Sequence, residues 1–258
     1  AEKFFDIKCR ASGLKPDAAL LVATVRAIKA HSGRFEIKAG KPLPDGLGKE
    51  DLEALADGVG NLEKQIENVK QFGVPVVVAI NVFPTDTENE IEFLREKAIA
   101  AGASAAHVST MFAEGGKGGE DLAHALVAAC EEPSEFKLLY EDDATLKEKI
   151  EAIATKIYGA DGVDFEEEAD KQLAKFEENG FGKLPICMAK TQYSLSHDPL
   201  LKGRPTGFRF KVRDARVAVG AGFVYPLAGS IMTMPGLGKT PAGMNMDIDE
   251  NGDVVGML

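Results

Sequence analysis

Apolar positions along the first half of the chain fall into short runs that alternate between strand and helix spacing. Residues 74–80 (Val-Pro-Val-Val-Val-Ala-Ile) are apolar and β-branched with no polar alternation, the pattern of a strand buried on both faces. The run stops at Asn81. A polar loop with Phe83 and Pro84 follows, and Thr85, Asp86 and Thr87 are each able to cap a helix over about 88–101. Strand, polar loop and helix in that order place ligand-contacting groups at the carboxyl end of a parallel sheet. A second strand is predicted over 18–24 with a helix over 25–31, and a third over 104–109 with a helix over 120–130. Between the first two, Leu52, Leu55, Val59, Leu62, Ile66 and Val69 predict one amphipathic helix over 50–72, with Gly58 and Gly60 marking a bend. Residues 4–10 read as a short mixed segment, and 40–48, dense in glycine and proline, as a loop.

The second half has a different texture. Leu146, Ile150, Ile153 and Ile157 share one face of a helix ending at Gly159, and a charged helix is predicted over 165–179, closed by Gly180. A strand over 185–189, a polar loop over 190–205 and short strands over 207–212, 215–219 and 230–234 complete the chain. The expected fold is α/β: a parallel sheet flanked by helices, then a C-terminal α/β domain ending in short glycine-separated strands.

The 258 residues are 45% hydrophobic and 28% charged, ordinary values for a globular protein with a sizeable core. No apolar stretch approaches the roughly 20 residues needed to span a bilayer, and the N-terminal residues have no signal-peptide pattern. Cys9, Cys130 and Cys187 are scattered, giving neither a disulfide framework nor a metal spacing, which fits a reducing cytoplasm. A net charge of −11 disfavours nucleic acid and anionic membrane as partners.

Several stretches could carry chemistry. The loop 81–87 offers a flat ring at Phe83 and a carboxylate at Asp86, or simply a helix cap and a packing residue. Residues 115–119 (Gly-Gly-Lys-Gly-Gly) lie between a strand and a helix, where backbone amides could cradle an anion, but they are not a Walker A loop and a plain turn is the simpler reading. Residues 236–240 (Gly-Leu-Gly-Lys-Thr) lack the upstream glycine of a P-loop and are rejected as one. Residues 247–252 imitate the start of a calcium loop, but the twelfth position is Leu258 and Asn251-Gly252 reads better as a hairpin turn. The histidines at 31, 107, 124 and 197 form no metal spacing. The hydrogen-bonding loop from Lys190 to Pro199 is either ligand-facing or ordinary surface.

Together these stretches resemble the C-terminal portion of the formate–tetrahydrofolate ligase (formyltetrahydrofolate synthetase) family. The matching segments are 1–10 (Ala-Glu-Lys-Phe-Phe-Asp-Ile-Lys-Cys-Arg), 22–27 (Val-Ala-Thr-Val-Arg-Ala), 81–87 (Asn-Val-Phe-Pro-Thr-Asp-Thr), 115–118, 190–194 (Lys-Thr-Gln-Tyr-Ser) and 231–237 (Ile-Met-Thr-Met-Pro-Gly-Leu). Members of that family are about twice as long and carry their P-loop in the N-terminal half. The resemblance therefore implies a fragment: residues 1–65 completing a large nucleotide-binding domain, and 66–258 a C-terminal domain with the folate-stacking loop. Residues 1–65 would then expose an unpaired sheet edge and apolar surface to be covered by a partner.

The resemblance further implies the ATP-dependent joining of formate to tetrahydrofolate through formyl phosphate, with Mg²⁺ accompanying ATP and a monovalent cation as a further cofactor. Phe83 would be one wall of the pterin stack, with Pro84 lining the pocket and Asp86 bonding polar pterin edges. Phe112 stands where the family usually has tryptophan; this chain has none, and the exchange reduces ring area and removes the indole donor. Gln192, Ser194, Asp198 and Pro199 resemble the loop that approaches the nucleotide. No catalytic residue and no metal ligand is assigned within the chain. The partners implied are the N-terminal half of the ligase, its small-molecule substrates and further copies in a homotetramer. Two rivals stand beside this reading. One is an inactive fragment that binds folate or nucleotide only weakly; the other is a different ligase or kinase using residues 236–240.

Overall fold

A computed structural model describes residues 1–37, 42–231 and 240–256. The chain opens with wide π-type turns over Lys3–Cys9 that continue into a helical turn, α1 (Arg10–Ser12). Residues 4–10 are therefore helical, not mixed. The buried positions here, Glu2, Phe5, Asp6 and Cys9, do stand at helical spacing, but two of them are acidic and the apolar Phe4 is exposed, so hydrophobicity does not display the period.

Strand β1 (Ala19–Ala23) leads into α2 (Val25–Ala30), whose N-terminus is capped by the Thr24 hydroxyl accepting from the Ala27 N–H at 3.2 Å. The predicted long helix is present but interrupted at Val59, giving α3 (Leu52–Gly58) and α4 (Gly60–Lys70). Its apolar face is buried except at Leu52. Gly58 is required by close packing: a Cβ there would lie 1.9 Å from the Ile28 carbonyl oxygen of α2. Strand β2 (Val76–Asn81), helix α5 (Glu88–Ala100) and strand β3 (Ala105–Ser109) follow as predicted. The 110–119 segment is not an open loop. It forms the turn α6 (Met111–Glu114) and tight turns over Gly115–Gly119, then enters α7 (Glu120–Cys130).

The first sheet is parallel with order β1-β2-β3, pairing Ala23 with Ile80 and Asn81 with Ser109. Alternation along β2 sends Val76, Val78 and Ile80 to one face, into the main core with α2, α4 and α5, and Val77 and Ala79 to the other, against Leu122 and Ala129 of α7. Beyond it come α8 (Leu146–Ala152), with its apolar face continued by π-type turns over Ile153–Ile157, strand β4 (Gly162–Phe165) and α9 (Glu167–Glu178). Strand β4 was not foreseen, and it takes Phe165 from the predicted helix.

The second sheet has order β4-β5-β6, parallel then antiparallel. Residues 209–218 form one strand, β5 (Arg209–Ala218), with a register shift between Val212 and Asp214, rather than two short ones. Strand β6 (Phe223–Ala228) was also unforeseen, and 185–189 contributes only bridges, Ile186 to Val224 and Ala189 to Leu227. A hairpin of β7 (Asp247–Ile248) and β8 (Val254–Val255) turns at Asn251-Gly252 as expected. The predicted strand 230–234, the 231–237 match, the 236–240 segment and Leu258 fall largely or wholly outside the described residues. One apolar cluster runs from Phe5 through both sheets to Ala228, and position 65 lies inside α4.

The N-terminal turns are tied down by a buried carboxylate. Asp6 Oδ1 accepts from the Leu139 N–H at 2.9 Å and from Arg10 at 3.2 Å, while Arg10 also donates to the Tyr140 carbonyl and lies over the Tyr140 ring. Burial pushes the Asp6 carboxyl from its ordinary 3.8 up to about 6, against the opposing pull of the Leu139 N–H and the Arg10 guanidinium. The folded chain thus holds this proton more tightly than the unfolded chain. Its contribution is complete below about pH 3.8 and is lost as pH rises through about 6. Denaturant unfolding of the wild type and Asp6→Asn across pH 4–7 should show the wild type losing stability relative to the variant over that window. A difference independent of pH would contradict this placement of Asp6.

Candidate functional site

The carboxyl ends of β1, β2 and β3 lie side by side, and each is followed within a few residues by a side chain able to meet a ligand. Arg26 follows β1, Phe83, Pro84 and Asp86 follow β2, and Phe112 follows β3. Phe112 is fully exposed, Phe83 half-buried and Pro84 exposed. No ring contact joins the two phenylalanines, so the space between their loops is not filled by either ring on the other.

The Phe83 loop is built by local hydrogen bonds. Asp86 Oδ2 accepts from the Phe83 N–H at 2.9 Å, and the Asp86 N–H donates to the Phe83 carbonyl at 2.9 Å. One Asp86 oxygen is therefore committed to the loop, and the other makes no hydrogen bond among the described residues. Burial raises the Asp86 carboxyl above its ordinary value, opposed by the Phe83 N–H and the nearby Arg26 guanidinium. Thr87 is the actual cap of α5, closed reciprocally by Glu90.

Glu90 also anchors the loop to the body of the protein. Its Oε1 lies 2.7 Å from Lys29 Nζ of α2 and accepts from the Asp51 N–H at 3.0 Å; its Oε2 accepts from the Thr87 N–H at 3.2 Å. Lys29 donates further to the Lys49 carbonyl at 2.8 Å. Lys29 and Glu90 are 1% and 0% exposed, so neither charge has water as an alternative partner.

The glycine-rich segment 115–119 packs on itself instead of opening as an anion cradle. The Thr110 N–H donates to the Gly118 carbonyl at 3.0 Å, and a Cβ at Gly118 would lie 2.4 Å from Thr110 Oγ1. Glu120 and Asp121 occupy the first turn of α7, where they already complement its N-terminal dipole.

Beside this edge lies a cavity of about 650 Å³ between the end of α2, residues 33–37 and the 192–202 loop. Gln192 and Pro199 line it, together with His31, Phe35, Tyr193 and Lys202. Ser194 and Asp198 do not; they hold the loop's shape. The buried Ser194 hydroxyl bonds the Leu201 carbonyl and accepts from the Ser196 N–H, and Asp198 Oδ1 accepts from the Leu200 N–H at 2.9 Å. His31 Nδ1 is buried without a partner among the described residues, and burial, then Lys202 and Lys190, hold its imidazole below the ordinary range. Ala27 borders this cavity while Arg26 meets Phe83, so α2 separates the two places. Sequence reasoning had no role for Arg26, His31 or Phe35. The available signal for Arg26 was its position, just past a parallel strand and level with Phe83. Among the described residues no three His, Cys, Asp or Glu side chains converge to hold a metal ion.

The parallel sheet with these edge loops and the adjoining cavity is an α/β architecture, the class in which ligands commonly bind at the carboxyl ends of the strands. The family model described as formate–tetrahydrofolate ligase matches residues 1–258, and the chain belongs to that family. The formate–tetrahydrofolate ligase of Roseiflexus sp. (strain RS-1) is 58% identical over 99% of this chain and 45% of its own length. That of Desulforamulus reducens is 54% identical over 100% of this chain and 45% of its own length. The protein named C-1-tetrahydrofolate synthase, cytoplasmic, of Schizosaccharomyces pombe is 53% identical over 99% of this chain and 27% of its own length. The chain thus spans about half the length of the ligases it matches.

The Lys29–Glu90 pair gives a direct test of how the edge is held. Glu90→Gln leaves the Lys29 ammonium buried without its counter-charge and should cost about 3–5 kcal/mol in denaturant unfolding. Lys29→Met with Glu90→Leu removes both charges and should recover most of that loss. A Glu90→Gln chain within about 1 kcal/mol of wild type would show that the pair does not anchor the loop.

Proposed function

We propose that this chain supplies the tetrahydrofolate-stacking wall, and part of the nucleotide site, of an ATP-dependent formate–tetrahydrofolate ligase. The observation that carries the reading is the placement of Phe83 and the fully exposed Phe112 in the loops after two neighbouring parallel strands, in a chain matched over its whole length by that family. A formate oxygen attacks the γ-phosphorus of ATP, giving formyl phosphate and ADP. N10 of tetrahydrofolate then attacks the formyl carbon and phosphate leaves, giving 10-formyltetrahydrofolate.

In this reading Phe83 and Phe112 hold the pterin between their faces, Pro84 closes the rim, and the uncommitted Asp86 oxygen accepts from a pterin N–H. The adjoining cavity receives the adenine end of the nucleotide, with Gln192 and Pro199 on its wall and Ser194 and Asp198 shaping the loop. ATP brings Mg²⁺ with it, and this chain is assigned no ligand to that ion or to a monovalent cation. Division at about residue 65 into the end of a nucleotide-binding domain and a C-terminal domain, homo-oligomeric assembly and a cytoplasmic site of action belong to the same proposal. So does a partner, the N-terminal half of the ligase. Strand β1 has no neighbour on its outer edge among the described residues, and Leu20 and Val22 are exposed on it, a surface that isolated sheets avoid. That edge also favours a second reading, in which the chain alone binds ligand weakly and turns nothing over.

Tetrahydrofolate binding measured by calorimetry separates these readings from a misplaced site. Phe83→Ala and Phe112→Ala should each weaken binding by about 1–3 kcal/mol, and Phe112→Trp should strengthen it through the larger ring. Wild-type affinity in both alanine variants would contradict the stacking assignment. Ligase turnover that appears only after the N-terminal half is added would support the second reading for the isolated chain.

A further inference from the structure

Phe83 has two faces, and one is already occupied. The guanidinium carbon of Arg26 lies 3.6 Å from the centre of the Phe83 ring, a van der Waals stacking distance. The other cation–ring pairs among the described residues lie at 4.7 Å or beyond. Arg26 makes no side-chain hydrogen bond among the described residues, so the ring and the nearby Asp86 carboxylate are the interactions that hold it there. Strand order supplies the direction. Arg26 reaches Phe83 from the β1 side, whereas Phe112 belongs to the loop on the β3 side.

We propose that Arg26 is a positioning residue for a flat ligand stacked on Phe83, an inference that rests on the tetrahydrofolate reading above. The guanidinium covers the β1-side face, fixes the plane of the ring and leaves the β3-side face as the landing surface. A half-exposed phenylalanine without this backing must lose rotational freedom when a ligand arrives; a ring already held does not. The planar guanidinium suits the role because it stacks over its whole width. A lysine in its place offers a compact, strongly hydrated charge and no stacking plane.

The test is a double-mutant cycle on tetrahydrofolate affinity, using wild type, Arg26→Ala, Phe83→Ala and the double variant, with Arg26→Lys as a conservative comparison. Arg26→Ala should weaken binding by about three- to thirty-fold, and Arg26→Lys should recover only part of that. In the Phe83→Ala background, Arg26→Ala should cause no further loss, because its effect passes through the ring. Equal losses in both backgrounds would mean that Arg26 touches the ligand or acts through its field, and would overturn the inference. So would wild-type affinity in Arg26→Ala. If Phe83→Ala itself leaves binding unchanged, the stacking reading fails first and this role falls with it. Proton NMR of the ligand-free chain provides an independent check. The Arg26 side-chain methylenes should be shifted upfield by the ring and should return to ordinary positions in Phe83→Ala. Ordinary shifts in the wild type would overturn the proposal without any ligand.

Discussion

The buried contact between Lys29 and Glu90 is the constraint on which the carboxyl edge of the first sheet depends. Each charge lies where water cannot reach, so each requires the other together with the amides and carbonyl around them. That requirement fixes the relative position of three segments: helix α2, the entry to α3 and the cap of α5. With α2 held against the cap, Arg26 in its first turn lies over the Phe83 ring. The ring is set by the scaffold, not by the loop alone. A pair of this kind adds little to net stability, yet it sharply penalises any arrangement in which the two segments drift apart.

From that anchor the order of the strands does the rest. Parallel pairing brings all three carboxyl ends to one edge, and the sequence β1-β2-β3 puts the loop with Phe83 between those with Arg26 and Phe112. Arg26 is stacked on the Phe83 ring, and Phe112 stands exposed in the loop after the next strand. Helix α2 meets the Phe83 ring through Arg26 and lines the neighbouring cavity with Ala27 and Ala30, so the two places lie on either side of one short helix.

Much of this architecture was legible in the sequence. The unbroken apolar run of β2 has few alternatives to a doubly covered strand, and Thr87 with Glu90 three residues later is a capping box in plain view. What escaped has identifiable causes. The buried face of the turns over Lys3–Cys9 carries the acids Glu2 and Asp6 while Phe4 is exposed, so the apolar pattern hides the helical period. Strand β4 is four residues long and abuts a helix, while β6 contains Pro226, which weakens a strand signal. The polar residues around the Asp214 register shift split β5 into two apparent strands. At the candidate site, Phe83 and the 190–199 loop stood out as loop chemistry, whereas Phe112 was marked only by the family resemblance. The loop-shaping bonds of Ser194 and Asp198 were not legible, since composition does not reveal whether a polar side chain faces a ligand or its own backbone.

In the proposed reading a flat ligand lies between the Phe83 and Phe112 loops, on the face of Phe83 away from Arg26. The most direct measurement is a crystal structure of the chain with tetrahydrofolate bound. The pterin should be stacked between the two rings, with Arg26 still against the far side of Phe83. A pterin seated in the cavity beside Gln192 and Tyr193, or stacked in the place of Arg26, would contradict it.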